Sequence, residues 1–196
     1  LRRQRQMCIR DRVTFALLFC SMSATLTHMI PRLEHLGYGL VFSAAVASLC
    51  AGAGFPGKLF FGWISDKASI NLCMICVIAA QFVGQLLMYL SETTGLFVVG
   101  ATIFGFGVGG VVPMQGAIVG RTFGRSSFGS VLGIMRPAMF PIQILGVPFA
   151  GLVFDEFGSY EIAFRVFLLL YLIAIVSICF YKRPVEKVSE TYLEAI

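Results

Sequence analysis

Residues 70–90 and 96–119 pass through more than twenty positions each without a charged side chain. Four similar runs accompany them. Residues 13–30 are uncharged until His28 and close at Pro31, and 40–64 are interrupted only by Lys58. Residues 131–154 contain Arg136, and 163–181 carry Arg165 near their start. Each run approaches or exceeds the roughly 20 residues a helix needs to cross a bilayer. Strands are excluded, because the runs are too long and do not alternate apolar with polar residues. The expected fold is an all-α membrane protein with six transmembrane helices.

Composition agrees. Hydrophobic residues make up 58% of the chain and charged residues 13%, against roughly 25% charged in soluble domains. That deficit excludes a large soluble core and a secreted disulfide scaffold alike. The net charge of +5 does not point to nucleic acid, because five of the fifteen basic residues lie in the first twelve positions and most others flank apolar runs. Residues 6–12 can be encoded by CAG ATG TGT ATA AGA GAC AGR, which contains a transposon-end adapter used in sequencing libraries. Residues 1–12 are therefore read as a non-native lead; a basic cytoplasmic lead-in is the alternative.

The chain also repeats itself. Gly57, Phe60, Gly62 and Asp66 recur 89 positions later as Gly146, Phe149, Gly151 and Asp155. Both copies close an apolar run just before a polar turn. Lys67, Arg121 and Arg125 follow the second and fourth runs, and Lys182, Arg183 and Lys187 lie in the tail. The other connections hold Arg32, Glu34, Glu92, Asp155, Glu156 and Glu161. The positive-inside rule makes the Lys/Arg-rich side cytoplasmic, with both termini there. Three-helix units are odd-numbered, so the repeat is inverted, with units of about 13–92 and 93–184. Residues 185–196 form a cytoplasmic tail.

Lys58 and Arg136 lie within the two runs that the repeat relates. An intramembrane cation costs at least about 2.5–3.5 kcal/mol on insertion scales, so it normally faces a partner or a wet cavity. No carboxylate lies inside any of the six runs. A bound anionic substrate supplies the missing partner; snorkelling of Lys58 to the interface is the structural alternative. Gln81, Gln85, Gln115 and Gln143 are polar groups in apolar runs, read as interhelical hydrogen-bonders, with pore lining the functional reading for Gln115 and Gln143. Gly105, Gly107, Gly109 and Gly110, followed by Pro113, mark the fourth run for close packing or bending. The C-x-x-C of Cys73 and Cys76 lies mid-run without further ligands, so neither metal nor cofactor is expected. No paired carboxylates, His cluster or Ser–His pair suggest an enzyme.

GKLFFGWISDK (57–67) resembles the loop motif of the major facilitator superfamily. FGRSSFGSVLG (123–133), GLVFDEFGSYEIAF (151–164) and THMIPRLEHLG (27–37) are similar to bacterial members of its monocarboxylate and oxalate–formate branch. The resemblance spans 13–184 and implies the C-terminal half of a 12-helix transporter in the bacterial inner membrane, lacking an N-terminal six-helix half. It further implies alternating access for small organic anions, whose carboxylates are held by basic residues on the second and fifth helices. The motif's Gly57, Gly62, Asp66 and Lys67, with Arg121 and Arg125, would serve gating and orientation. Lys58 stands where many members carry Arg, and Gly54 where animal carriers carry Asp. His28 is then the one titratable group within reach of a coupling proton, an interfacial role being the alternative. An intact six-helix homodimer and a carrier of a non-carboxylate substrate remain open.

Overall fold

The computed structural model describes the backbone of residues 2–91 and 93–179, and the side chains of all of these except 2–12, 122, 123, 125 and 126. Glu92 and the tail with Lys182, Arg183 and Lys187 lie outside the described residues. Among the described residues, six helices are long and apolar enough to span a membrane. They are α1 (Arg2–His35, spanning from Val13), α2 (Leu40–Lys67), α3 (Ile70–Leu90), α4 (Thr94–Arg121), α5 (Ser127–Phe157) and α6 (Glu161–Cys179).

Two boundaries differ from the sequence expectation. The first helix does not stop at Pro31 but continues to His35. Pro31 lies on the exposed side, where the hydrogen bond it removes disturbs packing least, and membrane helices tolerate such losses. The stop comes at Gly37, whose φ of 89° lets Tyr38 N–H reach the Leu33 carbonyl at 3.0 Å and Gly37 N–H reach Glu34 at 2.9 Å. That pair is a Schellman closure, which calls for glycine. Between α4 and α5 the helical pattern is broken only around Gly124 (φ 73°, ψ 175°), a backbone region that is essentially glycine's alone. Phe128, just beyond it, folds back toward Gly116 and Gly120, where an added Cβ would lie 3.9 Å from its ring.

Glycines decide how the helices cross. A Cβ on Gly57 would strike the carbonyl of Phe106, and one on Gly109 would strike that of Gly54. Gly105 faces the Cys50 carbonyl in the same way, so α2 and α4 meet backbone on backbone. Gly84 and Gly100 do the same for α3 and α4. The glycine run of the fourth helix therefore serves close packing. Gly146, the repeat partner of Gly57, sits where α5 crosses α1, with Cys20's carbonyl 2.6 Å from an added Cβ. Gly62 and its partner Gly151 both face open space. Matched positions in the two units thus occupy matched surroundings.

Polar contacts join the other faces. Thr25 of α1 donates to Gln85 Oε1 of α3 at 2.7 Å, and Thr14 of α1 donates to Ser177 of α6 at 3.0 Å. Phe15, Met74, Ile78, Phe104, Met114 and Tyr171 fill the space between the helices. Burial is uneven: half of the most apolar window of α1 is buried, but only 22% of those of α2 and α5. The two repeat-related helices present the barest faces.

Candidate transport site

The bare face of α5 lines a cavity of about 640 Å³ with α4 and α1. Arg136, Gln143 and Gln115 reach it, and Phe19, Val112, Met139 and Phe140 make much of the rest of its wall. Residues 136, 139, 140 and 143 fall on one stripe because positions three and four apart share a helix face. Pro137, also on this wall, leaves a carbonyl of the preceding turn without its usual donor. Among the described residues, Arg136 is the one charged side chain of the lining. Gln115 is 2% exposed, and its Nε2 donates to Met139 Sδ at 3.9 Å. A thioether is a weak acceptor, so most of that amide's hydrogen-bonding capacity is open to a ligand.

Three of the five residues assigned to substrate from sequence therefore come together: Arg136, Gln115 and Gln143. Lys58 does not line this cavity; it is exposed on α2. His28 lies elsewhere too. Its Nε2 is 3.0 Å from the Val147 carbonyl, and its ring is 5.3 Å from that of Tyr160, so it joins α1 to α5. Tyr160 in turn stacks on Phe154 at 4.4 Å. Burial, and then nearby Asp155, push the Tyr160 hydroxyl up from its ordinary value, which keeps it neutral at physiological pH. Of the other glutamines, Gln85 makes the expected interhelical bond, whereas Gln81 is fully buried with neither amide atom paired among the described residues.

The loop-motif residues gather at the opposite end of the bundle from His28. Gly57 is buried in the α2–α4 crossing, Gly62 faces open space, and Asp66 and Lys67 are exposed. Lys67 Nζ sits 4.1 Å from the centre of the Trp63 ring, one turn back. Arg121, at the end of α4, donates to the Ser65 carbonyl in the last turn of α2. A helix's last carbonyls lack intrahelical donors, and a basic side chain there satisfies both the bond and the dipole. The Arg125 side chain lies outside the described residues.

Sequence reasoning treated Arg32 as a loop charge, and the structure buries it in α1 at 8% exposure. Its Nη2 donates to the Met88 carbonyl at 3.1 Å, and its guanidinium lies 4.0 Å from the centre of the Phe164 ring. One arginine thereby closes the end of α3 and ties α1 to α6. The signal was available: carried past Pro31, the α1 periodicity puts Arg32 on the face of buried Met29 and Leu33.

The sequence profile of the Major Facilitator Superfamily matches residues 71–194. Monocarboxylate transporter 12 of Xenopus laevis is 26% identical over 156 residues, covering 78% of this chain and 34% of that protein. Monocarboxylate transporter 13 of Rattus norvegicus is 22% identical over 160 residues, covering 81% of this chain and 37% of that one. The chain thus spans about a third of the length of these relatives. A crystal structure of the POT family transporter PepTSo superposes with a TM-score of 0.70 at 19% identity, covering 89% of this chain and 37% of that one. With the profile matched over more than half its length, the chain belongs to the Major Facilitator Superfamily.

Proposed function

We propose that this chain is one six-helix half of a secondary transporter for small organic anions, monocarboxylates in kind, working by alternating access. The observation that carries the reading is the cavity in which Arg136 stands as the one charge beside two amides. Arg136 is itself exposed in this unit, but a cation at membrane depth is costly without a partner, and a guanidinium grips a carboxylate with two parallel hydrogen bonds. The relatives named monocarboxylate transporters, which are more than twice as long as this chain, support both the substrate class and the need for a second half. Lys58, exposed on α2, adds attraction for the anion at the face open to that half.

In this reading units 13–92 and 93–184 carry the inverted repeat, and the bare faces of α2 and α5 meet the missing helices. The Lys/Arg balance of the loops favours a cytoplasmic Asp66 end, and the resemblance to bacterial carriers favours a bacterial inner membrane. Asp66, Lys67, Arg121 and Arg125 then act on access at that end. A proton on His28 is the candidate coupling ion, its ring lying at the α1–α5 crossing.

The test is uptake by a transport-competent protein containing this unit. Arg136→Gln should abolish monocarboxylate uptake and Arg136→Lys should impair it severely, while Lys58→Arg should retain most of it. Undiminished uptake by Arg136→Gln would sink the proposal.

A further inference from the structure

The cavity wall has a direction as well as a charge. Arg136 stands at one end of the α5 stripe and Gln143 seven residues further on, with Met139 and Phe140 between them. Seven residues of helix rise about 10 Å. Side chains on one helix lean the same way, so the two polar groups keep roughly that separation. Phe19 of α1 and Val112 of α4 line the same cavity. Gln115, buried and held only by a thioether sulfur, adds an amide beside Met139. Along α5 itself the order is cation, apolar span, neutral amide.

Resting on the organic-anion reading above, we propose that Arg136 and Gln143 form a ruler for an amphiphilic monocarboxylate. Its preferred ligand has one carboxylate at Arg136, an apolar or aromatic middle, and an uncharged hydrogen-bonding group about two helical turns, roughly 10 Å, away at Gln143. Charge and length both discriminate. A second carboxylate would meet an amide and no second cation, so it would be desolvated without compensation. A short acid would reach Arg136 but leave the apolar span and the far amide unused. The unsubstituted aryl acid would fill the span and leave only Gln143 unanswered.

The experiment measures equilibrium binding to a purified transport-competent protein containing this unit, in nanodiscs, by calorimetry, using four acids. These are propanoate, 3-phenylpropanoate, 3-(4-hydroxyphenyl)propanoate and 3-(4-carboxyphenyl)propanoate. The hydroxylated acid should bind about two- to twelvefold more tightly than 3-phenylpropanoate, the range of one neutral hydrogen bond. Propanoate and the dicarboxylate should bind more weakly than either. Gln143→Leu should erase the advantage of the hydroxyl and leave 3-phenylpropanoate unchanged, while Arg136→Gln should weaken all four. Equal binding of the two aryl monocarboxylates to the wild-type chain overturns the ruler but leaves the anion site standing, as does a dicarboxylate that binds best. Binding of none of the acids, or binding indifferent to Arg136→Gln, overturns both.

Discussion

Gly57 and Gly146 hold the same position in two different crossings: each presses its Cα face against a carbonyl of another helix, Phe106 of α4 in one case and Cys20 of α1 in the other. At their companions Gly62 and Gly151 an added Cβ would meet open space. A single residue type therefore answers two demands within one motif. At the first pair there is no room for a methyl group; at the second, steric room is not the reason for glycine.

That contrast predicts opposite signs for one substitution. Gly57→Ala and Gly146→Ala should each destabilise by about 1–3 kcal/mol, the range for overpacking a filled contact. Gly62→Ala and Gly151→Ala should be neutral or stabilise by up to about 1 kcal/mol, the difference in helix propensity. Thermal denaturation in detergent would check the set, and loss of stability at all four positions would contradict it.

Arg32 should not tolerate lysine. An ammonium cannot reproduce a guanidinium that lies over Phe164 while bonding the Met88 carbonyl. Arg32→Lys should cost about 1–2 kcal/mol and Arg32→Ala more, because the end of α3 then loses a donor. The melting temperatures of the two variants, with Arg165→Lys at an exposed ion pair as control, would decide it.

The span count and the repeat were legible because lipid allows few sequences. A helix in hydrocarbon needs an unbroken apolar run, and a backbone-to-backbone crossing needs glycine at one place. Where local rules compete, legibility fails. Pro31 reads as a stop and Gly37 as a loop residue, yet the closing hydrogen bonds at Gly37 decide the end of α1. Arg136, Gln115 and Gln143 could each be singled out by cost, because a polar group in an apolar run needs a reason. Which of them share a cavity depends on how α4 and α5 turn about Gly124, and no run of residues states that angle. Lys58 and Arg136 looked alike in sequence for the same reason.

Thr25 and Gln85 should couple. Their bond joins α1 to α3 in the buried interior, and interhelical hydrogen bonds in membranes average about 0.6 kcal/mol. A cycle of Thr25→Val, Gln85→Leu and the double variant, read by denaturation, should return a coupling of that order. Strict additivity would mean that this bond does not hold the two helices together.

Topology has a direct check. Single cysteines at exposed Asp66 and Asp155, in an otherwise cysteine-free chain, should react with a membrane-impermeant reagent from opposite sides. Labelling of Asp66→Cys from the cytoplasm would support the charge-based orientation; labelling of both from one side would break the inverted repeat.

The α2–α4 crossing carries one more consequence. Where glycine backbones bear directly on one another, as at Gly54 and Gly109, no interlocked side chains have to change rotamer before the surfaces shift. Such a joint has little friction, and displacements of an ångström or two can occur by shear. The α1–α3 joint, pinned by Thr25 on Gln85 and Arg32 on Met88, is of the other kind and moves only by breaking bonds. The molecule sets a bearing beside a pinned joint, and the bearing, tied at its end by Arg121 on the Ser65 carbonyl, carries α2, the helix on which Lys58 and Asp66 ride.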